Sequence, residues 1–293
     1  MIALTGPDWM PHDLRFRTLG HSFSIRCDDV EAADLLAFRF AAMRIDRRDA
    51  ESGAVRPLIY EVRGRGGEQF ALVCPGNRLF ECEGVGAVVH ELEHDLTVAL
   101  QRVRPDLFFV HAAALEHAGR AYLLAGDSGN GKSTTAWGLL NRGFNYLSDE
   151  LSPIDVATLC VHAYPRALSL KDQPPASQPL PPSGVRHLES TLQIGAEGIP
   201  AMSGLSVCPI ESIVFVRYEP QRAAPALRKV SAAEAGARLY ATTLNALAHA
   251  DQGLGVALQI ASHLRCYVLE SADLADTCDL FHDQVLRARP SEV

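Results

Sequence analysis

The most constraining feature of this sequence is a glycine-rich stretch that lies between an apolar run and a run compatible with a helix. It contains Gly126-x-x-x-x-Gly-Lys-Ser133, which matches the phosphate-binding P-loop pattern. Residues 122–125 predict a buried strand before the loop, and residues 134–141 predict a helix after it. Because the pattern needs this strand–loop–helix context, it predicts an α/β fold that binds a phosphate, whereas a glycine-rich turn that matches by chance is the alternative.

The residue types of this loop suit a nucleotide. Glycines let backbone N–H groups turn inward around phosphate oxygens, and the helix N-terminus adds a partial positive charge. Lys132 is expected to reach the β- and γ-phosphates, and Ser133 is expected to hold Mg²⁺, so the pattern predicts ATP and Mg²⁺ as ligands. The predicted nucleotide-binding residues here are Gly126, Asp127, Ser128, Gly129, Asn130, Gly131, Lys132, Ser133 and Thr134.

Length and composition limit the class of protein. With 293 residues the chain can form two domains, or one large α/β domain with an extension. It has no apolar run near the roughly 18 residues of a membrane span and no secretory signal pattern, which predicts a cytoplasmic protein without a membrane partner. The net charge of −8 argues against nucleic acid as a partner. The seven cysteines include no C-x-x-C pair, which favours buried free thiols over a disulfide framework.

Residues 1–104 predict a small α+β domain. Period-two alternation and turn residues predict strands over residues 21–27, 57–62, 69–74 and 78–82. Apolar periodicity predicts helices over residues 30–43, after Asp28-Asp29, and 84–103, while residues 1–19 show no clear element and residues 46–54 predict a charged loop.

The second of these helices contains a metalloprotease-like pattern. His90-Glu-Leu-Glu-His94 matches H-E-x-x-H, in which two histidines on one helix face bind zinc and the first glutamate acts as base. Glu93 and Asp95 are charged where such helices usually carry uncharged residues, and no third ligand follows at a short helical spacing. The pattern therefore favours a solvated helix face with i,i+4 charge pairs, and a zinc peptidase is an alternative.

Residues 105–293 predict the catalytic domain. Strands are expected over residues 107–110, 144–148, 209–218, 226–230 and 265–270, with a hairpin over 151–156 and 159–163. Helices are expected over residues 231–249, 254–263 and 274–287, and residues 194–207 look irregular. Five prolines within residues 173–184 exclude helix or central strand there, which leaves either an extended surface loop or a loop that closes over substrate.

Charged residues near the predicted phosphate site suggest its chemistry. Asp149 and Glu150 end the strand that follows the P-loop helix, where such acids can hold Mg²⁺ or accept a proton from an attacking hydroxyl. Ser133, Asp149 and Glu150 are the predicted metal ligands. His111 ends or interrupts a strand expected beside the P-loop strand. Two exposed acids at a turn and a structural histidine are the alternatives.

These residues together resemble a known family. His111, the loop from Gly126 to Ser133, Arg142-Gly143 and Leu147-Ser-Asp-Glu150 resemble the core of bacterial HPr kinase/phosphorylase. The chain is more similar still to the HPr-kinase-related kinases, including those that accompany ribosomal-peptide pathways such as lasso peptides. The resemblance covers about residues 107–285, and the first hundred residues do not look like the regulatory domain of the true HPr kinase.

The resemblance implies a P-loop kinase domain of the HPr kinase and phosphoenolpyruvate carboxykinase type. It implies that Asp149 is the catalytic base toward a serine hydroxyl, that Glu150 assists the metal, and that His111 lies beside the γ-phosphate. The family's second acid is usually Asp, and the Pro-Gly-Arg loop linked to phosphorylase activity is missing here. We therefore expect a kinase without reverse phosphorolysis.

Two further cations are candidates for phosphate binding. Arg166 and Lys171 lie downstream of Glu150, and Lys171 is one of only three lysines among 27 basic residues. Charge-assisted contacts from such groups stabilise the negative charge that spreads during phosphoryl transfer, whereas ordinary surface charges at a loop are the alternative.

The function predicted from the sequence is transfer of the ATP γ-phosphate to a serine or threonine hydroxyl of a peptide or small protein, such as a lasso precursor. The predicted catalytic residues are His111, Lys132 and Asp149. A non-enzymatic nucleotide sensor, a small-molecule kinase and the zinc peptidase remain alternatives. The family also suggests a homo-oligomer, whereas the acceptor has no readable code in the sequence.

Overall fold

The computed structural model describes residues 11–46 and 57–287. Most of the predicted charged loop over residues 46–54 lies outside the described residues. The chain divides into two compact units, residues 1–103 and residues 104–293. Within the described ranges, no helix is both long and apolar enough to cross a membrane.

In its described residues, 11–46 and 57–103, the first unit has a five-stranded sheet and two α-helices. The strands are β1 (His12–Thr18), β2 (His21–Cys27), β3 (Leu58–Gly64), β4 (Gln69–Cys74) and β5 (Arg78–Glu83), and the helices are α1 (Val30–Arg39) and α2 (Gly84–Val103). The strands lie in sequence order, with only the β2–β3 pair parallel among the described pairs. Asp29 caps α1 by accepting from the Ala32 N–H at 2.8 Å.

Strand β1 was not predicted, although its sequence alternates. Leu14 and Phe16 point into the core while Asp13, Arg15 and Arg17 lie on the other face. The Phe16 ring stacks on Phe23 of β2 with centroids 5.0 Å apart. The alternation covers only seven residues and its outward face is charged, so the sequence signal was weak.

The second unit is built on a nine-stranded sheet. Its strands are β6 (Leu107–Val110), β7 (Ala112–His117), β8 (Arg120–Ala125), β9 (Asn145–Ser148), β10 (Ser152–Asp155), β11 (Cys160–His162), β15 (Val207–Tyr218), β16 (Ala226–Lys229) and β17 (Arg265–Ser271). The order is β6-β10-β11-β15-β8-β7-β9, and β17 pairs with β15 on one side and β16 on the other. The long strand β15 runs parallel to β8 and β17.

Helices cover both faces of this sheet. They are α3 (Lys132–Leu140), α4 (Ala232–Ala241), α5 (Leu254–His263) and α6 (Leu274–Phe281). Tyr122 and Leu124 of β8 pack into a core with α3 and α6, whereas Leu123 and Ala125 pack into a core with α4 and α5. Because β8 is buried on both faces, its sequence is a continuous apolar run, and the predicted mixed α/β fold is confirmed.

A separate three-stranded sheet was missed. It consists of β12 (Leu168–Leu170), β13 (Val185–Leu188) and β14 (Thr191–Ile194), in the order β12-β14-β13. Such short strands carry too few residues for a periodic signal. The proline-rich residues 173–184 connect two of them without helix or strand, as predicted. The Trp137 Nε1–H of α3 donates to the Gln178 carbonyl at 3.1 Å and anchors this segment.

Three predicted helices are shorter than expected. The helix predicted over residues 30–43 ends at Arg39 and is followed by a 3₁₀ turn, Ala41–Met43. The helix predicted over residues 231–249 ends at Ala241, because the Thr242 carbonyl accepts from the His111 N–H at 2.8 Å and the chain turns toward β6. Short 3₁₀ turns, Ala246–Ala248 and Ala250–Gly253, follow. The terminal α-helix ends at Phe281 and continues as a π-helical turn, His282–Leu286.

Candidate functional site

Three separate segments of the chain meet at one edge of the nine-stranded sheet. Strand β7 runs antiparallel to both β8 and β9, and its first residue, Ala112, pairs with the last residue of β8, Ala125. Consequently the residue before β7 and the residues after β8 and β9 lie at the same edge. These residues are His111, Gly126 and Asp149.

The glycine-rich loop between β8 and α3 requires glycine at specific positions. Gly131 caps α3 with φ +83°, in the left-handed region. Gly126 has φ +145°, and a Cβ there would lie 2.7 Å from the Val216 carbonyl oxygen of the neighbouring strand β15. The loop therefore passes closer to the sheet edge than a chain with a side chain at residue 126 could.

Lys132, the first residue of α3, folds back over this loop. Its Nζ donates to the Gly126 carbonyl at 2.7 Å and to the Asp127 carbonyl at 3.0 Å. Burial lowers the pKa of Lys132, and the carboxylates of Glu150 and Asp149 oppose that shift. The ammonium group thus lies inside the loop with acidic groups nearby.

Ser133 connects the loop to the strand that follows α3. Its Oγ donates to Asp149 Oδ1 at 2.7 Å, and the Ser169 backbone N–H donates to Asp149 Oδ2 at 3.0 Å. The Asp149 side chain has no exposed surface. Burial, and secondarily the charge of Glu150, raise the pKa of Asp149 to about 7 despite these two hydrogen bonds.

Glu150 lies between a histidine and an arginine at the rim of the site. Its Oε2 lies 3.2 Å from His111 Nδ1, and its Oε1 lies 3.6 Å from Arg166 Nη2. The pKa of His111 is lowered, first by burial and then by the nearby Lys132 ammonium. A neutral imidazole has one N–H, which it can donate either to the Glu150 carboxylate or to a phosphate oxygen, because its other ring nitrogen only accepts.

The remaining sequence-predicted residues differ in how close they come to this centre. Lys171 Nζ donates to Ser128 Oγ at 2.9 Å, so this exposed lysine lies against the outer part of the loop. Asp127 and Gly129 are exposed, and the Asn130 and Thr134 side chains are partly buried. The structure thus brings His111, Lys132, Ser133, Asp149, Glu150 and Arg166 together, and places Lys171 and Ser128 as a separate contact at the loop tip.

The H-E-x-x-H pattern lies in the first unit, on α2. His90 and His94 are both exposed, and no group of three potential metal ligands occurs among the described residues. The expected solvated face is wrong for Asp95, which is buried and pairs with Arg78 and the Tyr60 hydroxyl. Neighbouring strands of the five-stranded sheet supply these partners, which a helix-only pattern does not reveal.

Sequence reasoning missed Ser169 and Gln193 near the site. Ser169 lies in β12 and Gln193 in β14, and the two residues pair directly across the three-stranded sheet. Ser169 follows Arg166 by only three residues, but nothing in its sequence context indicates that its N–H reaches Asp149. This contact could not be predicted from the sequence, because it depends on where the three-stranded sheet packs.

Comparisons with known proteins show a weak structural likeness and no sequence match. No family model and no curated protein matches the sequence. Among solved structures, the chain is similar to the Hpr(Ser) kinase/phosphatase from Coxiella burnetii, with 12% identity and a TM-score of 0.31 over 61% of this chain and 99% of that chain. A score this low carries no argument about function, so the functional conclusion rests on the site itself.

Proposed function

We propose that the protein is an ATP- and Mg²⁺-dependent kinase that phosphorylates a serine or threonine hydroxyl of a peptide or small protein. The observation that carries this proposal is the 2.7 Å hydrogen bond between Ser133 Oγ and Asp149 Oδ1. It brings a buried carboxyl group to the first turn of the helix that follows a glycine-rich loop. A loop that only holds phosphate needs no such acid, whereas γ-phosphoryl transfer does.

Nucleotide binding rests on the loop and its cations. The N–H groups of residues 126–131 and the N-terminus of α3 are suited to bind phosphate oxygens. Lys132 Nζ now donates to two loop carbonyls, and the β- and γ-phosphates would take their place as acceptors. Arg166 and Lys171 are proposed to contact the phosphates from the opposite side, on the chain segment that carries β12.

The residues present fit Mg²⁺. A hydroxyl and carboxylates are hard oxygen donors, and Mg²⁺ usually takes one or two such protein ligands with water and phosphate oxygens completing the shell. Ser133, Asp149 and Glu150 would supply the protein ligands. When bound, the ion neutralises charge on the β- and γ-phosphates.

The proposed transfer step uses Asp149 as general base. The acceptor hydroxyl oxygen forms a bond to the γ-phosphorus while the bond from that phosphorus to the β,γ-bridging oxygen breaks, so ADP leaves with the electron pair. The hydroxyl proton passes to the Asp149 carboxylate. Lys132 and Arg166 stabilise the equatorial oxygens, and His111 lies beside Glu150 within reach of the same charge.

A kinase assay with matched variants tests this function. Purified protein is mixed with γ-labelled ATP, Mg²⁺ and serine-containing peptides encoded beside its gene, and transfer to serine is expected. Asp149→Asn is expected to reduce transfer by about 10²–10⁴-fold, because the amide cannot accept the proton, while ATP binding is kept, because the loop and Lys132 are unchanged. Lys132→Ala is expected to weaken ATP binding as well.

Other outcomes point to other functions. No transfer to any peptide, with ATP bound tightly, argues against the peptide kinase. If labelled phosphate instead appears on an added small alcohol, the acceptor is a small molecule. Cellular function that survives Asp149→Asn but not Lys132→Ala indicates a nucleotide sensor.

A further inference from the structure

A hydrogen-bonded chain runs through the three-stranded sheet toward the candidate site. The Thr191 hydroxyl donates to the Leu188 carbonyl at 2.9 Å. Gln193 Nε2 donates to Thr191 Oγ1 at 2.7 Å, and Ser169 Oγ donates to Gln193 Oε1 at 2.9 Å. Gln193 is only 2% exposed, so its amide orientation is set by these partners rather than by solvent.

The donors and acceptors in this series of hydrogen bonds fix which group donates at each step. Because the Thr191 hydroxyl gives its proton to a carbonyl, it can only accept from Gln193, which must present its NH₂ group. The Gln193 oxygen then faces Ser169, so the Ser169 hydroxyl must donate to it. The lone pairs of Ser169 Oγ are thereby left for a donor from the site.

That donor is Arg166. Its Nη1 lies 3.4 Å from Ser169 Oγ, and its Nη2 lies 3.6 Å from Glu150 Oε1. The Arg166 side chain is 6% exposed, so a guanidinium without directed partners there would carry a large desolvation cost. The same residue, Ser169, also gives its backbone N–H to Asp149 Oδ2.

We propose that Gln193 is a positioning residue that, through the Ser169 hydroxyl, holds Arg166 in the orientation that phosphoryl transfer requires. The inference rests on the proposed function and deepens it. Gln193 acts through Ser169, whose hydroxyl donates to the Gln193 side-chain oxygen. Without the Gln193 oxygen, the Ser169 hydroxyl has no fixed acceptor, so its lone pairs are no longer held in the direction of Arg166.

Steady-state kinetics of a double-mutant cycle test this proposal. The probe is Mg·ATP with water as phosphoryl acceptor, read as ADP release per nucleotide-binding site counted by ADP titration. Gln193→Leu and Ser169→Ala are each expected to lower kcat about tenfold with little change in KM for ATP, because positioning acts in the transition state. The double variant is expected to lose no more than either single variant, because the two residues act as one unit.

The controls separate positioning from stability and from the function itself. His187→Leu, an exposed change on the adjacent strand β13, is expected to keep the parental kcat. Variants that only unfold lose binding sites in the ADP titration without losing kcat per site. Suppose that the unmutated protein is active. An unchanged kcat in Gln193→Leu, or additive losses in the double variant, would then overturn the positioning role but not the proposed function. If the unmutated protein phosphorylates an added serine peptide but releases no ADP with water alone, the same cycle is read with that peptide. An unmutated protein that consumes no ATP with either acceptor overturns the proposed function and this inference together.

Discussion

At the Asp149 carboxyl, burial opposes ionisation more strongly than two hydrogen bonds favour it. Ser133 Oγ and the Ser169 N–H both stabilise the carboxylate, yet its pKa is raised to about 7 because the side chain is fully buried beside Glu150. A carboxyl group that is half ionised near neutral pH suits a general base, because efficient bases have a pKa near the working pH.

The pH dependence of activity follows from that shift. Only the ionised Asp149 can accept a proton, so kcat/KM for ATP is expected to rise about tenfold per pH unit below the raised pKa and to level off above about pH 7. The measurement is kcat/KM between pH 5 and pH 9, with the residual activity of Asp149→Asn as the control, which should lack this limb. A limb at the usual pKa of an exposed aspartate would contradict the structure.

Residue 126 disfavours any side chain for two reasons, its positive φ and a close backbone contact, whereas residue 129 does so only because of its positive φ. Both have positive φ, but only a Cβ at Gly126 would meet backbone, the Val216 carbonyl at 2.7 Å. Gly129→Ala should therefore lower the free energy of unfolding by about 1 kcal/mol, from strain alone. Gly126→Ala should cost about 3 kcal/mol and weaken ATP binding, because the loop must move away from β15. Denaturant unfolding and ATP titration measure both, and equal losses for the two variants would argue against the close approach.

At the scale of elements, helix α3 packs tightly against α6 through a glycine. A Cβ at Gly138 would lie 2.6 Å from Cys278 Sγ and 2.8 Å from Leu274 Cδ1. Helix propensity alone favours alanine over glycine by about 1 kcal/mol. Here the overlap is the larger effect, because the two α6 side chains are buried and cannot move aside.

This packing predicts opposite results for two helical glycines. Gly138→Ala is expected to destabilise the protein by about 1–3 kcal/mol, since the core between α3 and α6 is overfilled. Gly255→Ala in α5 is expected to stabilise the protein by up to about 1 kcal/mol. A Cβ at this residue would meet only Asp251 Oδ2, at 3.9 Å, so the helix propensity of alanine is not offset by a clash. Thermal unfolding of both variants provides the test. A higher stability of the Gly138→Ala variant would show that the α6 side chains leave room for a Cβ at residue 138.

Elements with a local signal were predictable, and those defined by distant partners were not. Strand β8 and helix α3 follow from an apolar run and a glycine-rich loop, and α5 from apolar periodicity. By contrast, β12 is a three-residue strand whose partner β14 lies beyond the proline-rich segment. Strand β1 was missed for a different reason, since its partner β2 follows after a two-residue turn and its charged alternation is a weak signal. The helix predicted to residue 249 ends early because of a distant partner, since the Thr242 carbonyl bonds to the His111 N–H.

At the scale of the whole molecule, each of the two units has its own sheet and core. Residues 104–293 contain two apolar cores, one on each face of the nine-stranded sheet, and every residue of the candidate site. Units of this kind usually fold independently. Residues 104–293 produced alone are therefore expected to unfold cooperatively and, under the proposed function, to bind ATP with the same affinity as the full chain.

Differential scanning calorimetry and ATP titration of that fragment check this expectation. The full chain should show one transition that matches the fragment and a second that belongs to residues 1–103. A fragment that is unfolded on its own would contradict independent folding. A folded fragment that does not bind ATP would show that nucleotide binding needs the first unit.

The sequence by itself determined the strand, the glycine-rich loop and the helix that follows it, because these depend on neighbouring residues along the chain. It also indicated that Asp149 ends a strand one helix later. Only the tertiary structure decided that Asp149 accepts hydrogen bonds from the Ser133 hydroxyl and the Ser169 N–H, and that the Ser169 hydroxyl donates to Gln193. Strand order and register bring these residues together, and both are set by packing between segments far apart in sequence.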